Sequence, residues 1–169
     1  MDNCLKTRRL ILRTWREEDA ESLYRYASDP RVGVPAGWPP HESVEMSREV
    51  ILTVFSVPET YAVVPEGGDG PVGCVGLVPR ESRHVEGLKE NDAEIGYWIG
   101  TPWWGRGLIP EAVAELMRHC REDLGCDDLW IGFFDGNDKS RRVAEKCGFS
   151  YHHTQTSDGT VEHFYINRK

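Results

Sequence analysis

The tripeptide Gly105-Arg106-Gly107 lies between an alternating stretch that ends at Gly100 and a run with helical spacing that begins at Leu108. Two glycines let consecutive backbone N–H groups converge on one ligand, because neither carries a Cβ. Pro110 suits the first turn of a helix, where its missing N–H costs nothing. A helix start adds unpaired N–H groups and the positive end of its dipole, and Arg106 adds a full charge. A pyrophosphate is the ligand that suits this arrangement best. The alternative is an ordinary strand-to-helix turn. A P-loop is excluded, because G-x-x-x-x-G-K followed by Ser or Thr does not occur. The dinucleotide fingerprint fails because position 110 is Pro where it requires Gly.

The flanking elements follow from periodicity. Ala93, Ile95, Tyr97 and Ile99 alternate with Glu94, Gly96, Trp98 and Gly100, the pattern of a strand. Leu108, Ala112, Val113, Leu116, Met117 and Cys120 recur at helical spacing, with Gly125 as a stop. Leu129 to Phe134 is apolar on both faces except at Gly132, which predicts a covered central strand. Asp135-Gly136-Asn137 then turns into a short helix that Asn137 caps, with Asn137, Ser140, Ala144 and Cys147 on one face. Two strands joined through a helix should be parallel.

The rest of the chain supplies the remaining elements. Leu10 to Trp15 reads as a strand, and Thr14-x-x-Glu17 as a capping box for a helix whose apolar face is Ala20, Leu23, Tyr24 and Ala27. Glu17, Glu18 and Asp19 read as acids at the positive end of that helix. Asp29 to Glu42 holds four prolines, two glycines and Trp38, and reads as a long irregular connection of the kind that is often functional. Trp38 either packs on its own loop or lines an acceptor pocket. A second helix carries Val44, Ser47, Ile51, Val54 and Phe55. Hairpins are predicted from Tyr61 to Val78 and from Tyr151 to Asn167, with Arg80 to Asn91 a polar surface connection. The resulting order is β-α-α-β-β-β-α-β-α-β-β. It predicts an α/β chain with a central mixed sheet of about seven strands flanked by about four helices, in a single domain spanning residues 1–169.

Composition narrows the function classes. The chain has 169 residues, 28% of them charged, and a formal net charge of −8. Such an acidic chain repels nucleic acid and is suited to a cationic acceptor, although plain solubility accounts for the charge equally well. No apolar run reaches the ~20 residues of a membrane span, and no apolar stretch of a secretory signal follows the basic start. A cytoplasmic location is expected. Five cysteines, without C-x-x-C, argue for free thiols and against zinc. His152 and His153 are adjacent on a predicted strand and should face opposite ways, which argues against a shared metal.

Three stretches together resemble the GCN5-related N-acetyltransferase (GNAT) superfamily, and most closely its RimJ/RimL-type branch. They are AEIGYWIG, W-G-R-G followed by P-E-A, and N-D-K-S-R-R-V-A-E-K-C-G-F. The opening T-R-R-L-I-L-R-T-W-R-E-E-D-A is similar as well, so the likeness spans nearly the whole chain. The predicted element order is also that of this superfamily. One departure is Pro102, three residues before the first loop glycine, where relatives often carry Gln or Arg. It implies a changed loop entrance.

The resemblance implies transfer of an acetyl group from acetyl-CoA to an amine, with no metal. Tyr97, Trp98 and Ile99 would offer strand backbone groups to the pantetheine arm. Gly105, Arg106, Gly107, Leu108 and Ile109 would hold the pyrophosphate, and Asn137 and Ser140 would face the pantetheine and sulfur. Relatives often protonate the departing thiolate with a Tyr at the position of Ala144. Ser140, one turn earlier, is the remaining hydroxyl, unless it bonds its own helix backbone. Glu94 is the candidate base, unless it is a structural acid on the sheet; its ordinary pKa (~4.3) is too low unless burial raises it or water relays the proton. Trp38 is the candidate acceptor wall. The acceptor is then a protein N-terminus or a small amine such as a polyamine, amino acid or antibiotic. A third reading is a binding module without turnover. A monomer and a homodimer are both compatible with the sequence.

Overall fold

The computed structural model describes residues 4–169. The strands are β1 (Leu5–Lys6), β2 (Leu10–Thr14), β3 (Thr60–Pro65), β4 (Gly73–Leu77), β5 (Ala93–Ile99), β6 (Leu129–Phe134), β7 (Ser150–Ser157) and β8 (Thr160–Asn167). The α-helices are α1 (Ala20–Ala27), α2 (Pro30–Gly33), α3 (Val44–Thr53), α4 (Leu108–Glu122) and α5 (Asp138–Lys146). All eight strands form one sheet in the order β1-β2-β3-β4-β5-β6-β8-β7.

Every neighbouring pair is antiparallel except β5 and β6, which α4 connects and which run parallel as the sequence implied. That pair is short. Ala93 pairs with Leu129 and Glu94 with Trp130, and no ladder continues beyond them. From Glu94 onward β5 and β6 splay apart, which opens the sheet between Gly96–Ile99 and Ile131–Phe134.

The sheet separates three apolar clusters. Leu12, Val63, Val75, Ile95 and Ile131 pack against Val113 and Leu116 of α4 and Ala144 of α5. On the opposite face Ala62, Val64 and Cys74 pack against Leu23 and Ala27 of α1 and Ile51 of α3. Trp130, Phe164 and Ile166 on that same face are covered by Val85. Each fully buried aliphatic side chain contributes roughly 1.5–3 kcal/mol relative to exposure.

Five sequence expectations change. The sheet has eight strands, not about seven, because Leu5–Lys6 pairs with Ile11 and Leu12; two residues are too few to show a period. The expected loop after Asp29 begins with α2: the Asp29 carboxylate accepts the Arg31 N–H, and Pro30 occupies the first turn, where it starts a helix where the sequence reading expected none. Thr14 does not cap α1, since it lies in β2 opposite Tyr61. Asp19 takes the Arg16 N–H at 2.9 Å instead, and receives both Arg13 guanidinium nitrogens at 2.8 and 2.9 Å. Asp19 is therefore a buried ion-pair acid, unlike exposed Glu17 and Glu18. The connection from Arg80 to Asn91 is not all surface, because Val85 is buried on the sheet.

The fifth change concerns His152 and His153. A register shift between Tyr151 and His153 breaks strict alternation. Both imidazoles then pack on Trp130, at 4.8 and 6.1 Å between ring centroids, with their Nδ1 atoms 2.7 Å apart. No group of three or more metal-ligating side chains occurs among the described residues.

Candidate active site

The predicted glycine loop closes one end of the splay. Gly105 and Gly107 both sit at φ +71°, a left-handed conformation that strains any residue with a Cβ. Gly107 caps α4, so the N–H groups of Leu108 and Ile109 have no acceptor within the helix. The loop is fixed from outside. Arg9 donates Nη1 to the Arg106 carbonyl at 2.9 Å and Nε to Glu111 Oε2 at 2.7 Å. A Cβ on Gly107 would lie 3.6 Å from both Arg9 Nη2 and Lys146 Nζ, so two cations flank the free N–H groups.

A cleft of about 760 Å³ runs from this loop into the splay. It brings together Tyr97, Trp98, Ile99, Gly105, Gly107, Leu108, Ile109, Asn137 and Ser140, along with Arg142 and Lys146 one turn apart on α5. Arg106 does not join them: its guanidinium lies over the Trp103 ring, 4.8 Å from the centroid. Pro102 lies in a single 3-10 turn, Thr101–Trp103. After it, Trp104 donates Nε1 to the Ile99 carbonyl at 3.0 Å, and Lys139 Nζ sits 3.4 Å over the Trp104 ring.

Backbone polarity on β5 divides the predicted strand residues. The Val78 N–H donates to the Glu94 carbonyl and the Gly100 N–H to the Val72 carbonyl, so the even-numbered residues turn their peptide groups to the β4 side. By alternation Trp98 does the same, opposite Cys74. Tyr97 and Ile99 turn theirs to the opening. Trp98 therefore does not offer its backbone to the opening, and its indole packs on the opposite face of the sheet against Trp38.

Asn137 caps α5 as expected, its Oδ1 accepting the Ser140 N–H at 3.2 Å. The Ser140 hydroxyl does not bond its own helix. It lies 2.7 Å from the Tyr97 hydroxyl, which also donates to the Ser140 carbonyl at 3.0 Å. Burial pushes the Tyr97 phenol above its ordinary range, so it stays protonated. Cys147 lies outside the cleft lining, its thiol donating to the Pro110 carbonyl, and burial raises its pKa to about 11.

Glu94 lies at the vertex, outside the cleft lining. It is 6% exposed, and its Oε2 is buried without a hydrogen-bond partner. Burial pushes its pKa up to about 7; Glu162 adds to the rise, and His84 and Arg83 oppose it. Trp38 also lies outside the cleft. Its indole rests on Gly33 and meets Trp98 edge-on at 5.8 Å between centroids and His41 at 5.6 Å.

Arg9, Arg142, Lys146 and the Tyr97–Ser140 contact escaped the sequence reading. Arg142 and Lys146 carried a usable signal: they are four apart on the helix that presents Ser140. Arg9 comes from β1–β2, nearly a hundred residues from the loop it holds, and left no local trace.

The acetyltransferase (GNAT) domain model matches residues 9–150. The chain belongs to the GNAT acetyltransferase family. Relatives agree with this membership. The N-acetyltransferase YoaA of Bacillus subtilis (strain 168) is 27% identical over 150 residues, covering 86% of this chain and 81% of its own. The fold matches a GNAT-family acetyltransferase structure from Bacillus anthracis with a TM-score of 0.82 at 19% identity, over 98% of each chain. It also matches the microcin C7 self-immunity acetyltransferase MccE, solved with acetyl-CoA and AMP, with a TM-score of 0.76 at 18% identity, over 96% of this chain and 94% of that one.

Proposed function

We propose that this GNAT chain transfers an acetyl group from acetyl-CoA to a primary amine, with the cleft between β5 and α5 as the donor site. The observation that carries the reading is the Gly105–Ile109 turn: free N–H groups at a helix start, two left-handed glycines and flanking Arg9 and Lys146. These residues fit a pyrophosphate, with Arg142 available for further phosphate charge. The Tyr97 peptide groups and the Ile99 N–H face the opening and could hold the pantetheine arm in extended form; the Ile99 carbonyl is taken by Trp104. MccE, the similar structure with acetyl-CoA bound, supports the choice of donor.

Three proton and charge tasks then fall to named residues. Glu94 takes a proton from the acceptor ammonium; a midpoint near 7 suits that step far better than an ordinary carboxylate would. A backbone N–H of β5 faces the thioester oxygen as charge builds on it. The Ser140 hydroxyl, held by Tyr97, donates to the departing thiolate.

A protein N-terminus is the first acceptor class. A similar fold, with a TM-score of 0.76 at 15% identity over 99% of this chain, is the ribosomal-protein-S5-alanine acetyltransferase of Vibrio fischeri. A small amine is the second. The FsC-acetyl coenzyme A-N(2)-transacetylase of Aspergillus fumigatus is 26% identical over 153 residues, covering 87% of this chain and 65% of its own. The net charge of −8 suits a cationic acceptor of either class. The test is dialysed protein with acetyl-CoA and a panel of peptides and small amines, with thiol release followed. Amine-dependent release is expected. Tight acetyl-CoA binding without release on any amine would leave a binding module only.

A further inference from the structure

The face of the sheet opposite α4 carries a charge cluster that the donor cleft does not use. Glu94 pairs in register with Trp130 on β6, and Trp130 shares its face with Gly132. Gly132 pairs with Phe164 on β8, which shares its face with Glu162. Glu162 reaches back over Gly132: its Oε1 lies 3.0 Å from where a Gly132 Cβ would stand. The other oxygen, Oε2, is 2.7 Å from His84 Nε2. His84 also packs edge-on against Phe164, at 5.9 Å between centroids. Its side chain is 61% exposed, against 16% for Glu162. The pair thus runs from bulk water onto the sheet face that carries Glu94, whose buried Oε2 has no hydrogen-bond partner and whose charge both residues influence.

We propose that the His84–Glu162 pair is a positioning element of the transfer reaction, whose charge sets the pH at which Glu94 gives up and takes up its proton. The proposal rests on Glu94 as the base. The step is a simple exchange: the acceptor N–H bond breaks, the proton joins the Glu94 carboxylate, and the neutral amine keeps the electron pair. Glu94 must return that proton to water before the next turnover, and the charge beside it decides how readily it does so.

The charges that act on Glu94 are those of His84, Arg83 and Glu162, while His152 and His153 of β7 also reach this face, both against Trp130 and His153 stacked on Phe164. His84 and Arg83 come from the β4–β5 connection, and Glu162 from β8. Arg83 is tied to the Val78 and Asp92 carbonyls at 3.0 and 2.9 Å. Asp92, just before β5, is turned to Trp130 Nε1 and to the Lys89 and Asp128 N–H groups. Trp130 and Gly132 of β6 do not titrate, and beyond Trp98 the same face carries His41, bonded to Ser47 at 2.8 Å. His84 lowers the Glu94 midpoint and Glu162 raises it, while Glu162 holds the proton on His84. Replacing Glu162 therefore has two opposed effects, and His84 is the decisive position. The connection has a second anchor: Gln155 accepts the Glu86 N–H at 2.9 Å and donates to the His84 carbonyl at 3.0 Å. A change at the His84 side chain leaves that anchor in place.

The experiment reads Glu94 directly. Carboxyl carbon NMR of glutamate-labelled protein gives its midpoint, assigned by loss of the signal in Glu94→Gln, and the pH profile of kcat/KM is measured alongside. His84→Asn should raise the midpoint by about half a unit or more, and the acidic limb of kcat/KM should move with it. His84→Lys keeps a cation and should hold both at or below the wild-type value. His163→Asn, on the other face of β8 beside Asp135, should change neither. An unchanged Glu94 midpoint in His84→Asn overturns the proposal, even if no acceptor is ever found. A midpoint that moves while the kcat/KM limb stays put overturns Glu94 as the base, and the pair's part in the reaction with it.

Discussion

The hydroxyls of Tyr97 on β5 and Ser140 on α5 lie 2.7 Å apart across the splayed strands, forty-three residues apart in the chain. Either hydroxyl can donate in this contact, and the Tyr97 hydroxyl can also donate to the Ser140 carbonyl at 3.0 Å. Ser140 is the hydroxyl proposed to donate to the thiolate, and the Tyr97 contact fixes where it stands. The same contact ties β5 to α5 across the cleft.

Ser140→Ala should lower kcat by roughly tenfold, since water can replace the lost acid, and leave acetyl-CoA affinity nearly unchanged. Tyr97→Phe should lower kcat similarly and should also weaken acetyl-CoA binding, because it frees α5 from β5. Steady-state kinetics and calorimetry on both variants check this. Wild-type kcat in Ser140→Ala would remove the hydroxyl from the mechanism.

Glu94→Gln should lower kcat/KM by about a hundredfold and abolish its acidic limb near pH 7, with acetyl-CoA binding intact. Stability gives an independent sign. A carboxyl raised from 4.5 to about 7 on folding lowers stability as pH climbs between those values, because the unfolded chain ionises first. The wild type should thus lose on the order of 2 kcal/mol from pH 4.5 to pH 7 through this group, and Glu94→Gln should be spared that loss. Denaturant melts at pH 5 and pH 8 measure it, and equal pH dependence in both proteins would contradict the burial of Glu94.

Local turn and cap geometry was legible in the sequence. Gly105 and Gly107 at positive φ and the Asn137 side-chain cap on α5 belong to their own turns, so they follow from residue type and spacing. The β5–α4–β6 unit was legible because each element holds a clean period. Contacts across the sheet were not. Arg9 reaches the loop from β2's entrance, Tyr97 finds Ser140 only after β5 and β6 part, and His84 reaches Glu162 from a connection with no period. The register shift after Tyr151 hid the shared direction of His152 and His153. A cap by Asp19 and a helix started by Pro30 were misread because Thr14 and the prolines fit commoner local rules.

Trp38→Ala should leave acetyl-CoA binding intact, because the indole lies outside the donor cleft. It should raise the acceptor KM through Trp98, whose edge it holds. It should also lower stability by roughly 2 kcal/mol, as a half-buried aromatic packed on Gly33 leaves a void. Thermal melts and acceptor titrations separate the two effects. An unfolded variant would make Trp38 a packing residue alone.

Gly107→Val tests the cradle. A branched residue at φ +71° must move the backbone that presents the Leu108 and Ile109 N–H groups. Acetyl-CoA affinity should fall at least about tenfold while circular dichroism keeps the wild-type fold. Lys146→Glu should weaken binding further at low salt than at high salt. Wild-type affinity in a folded Gly107→Val protein would place the pyrophosphate elsewhere.

The most direct measurement of the central claim is isothermal titration calorimetry of the wild-type protein with acetyl-CoA, ATP and NAD in turn. The Gly105–Ile109 turn at the mouth of a cleft lined by Tyr97, Ile99 and Ser140 predicts saturable binding of acetyl-CoA and no comparable binding of ATP or NAD. ATP binding as tightly as acetyl-CoA would contradict it.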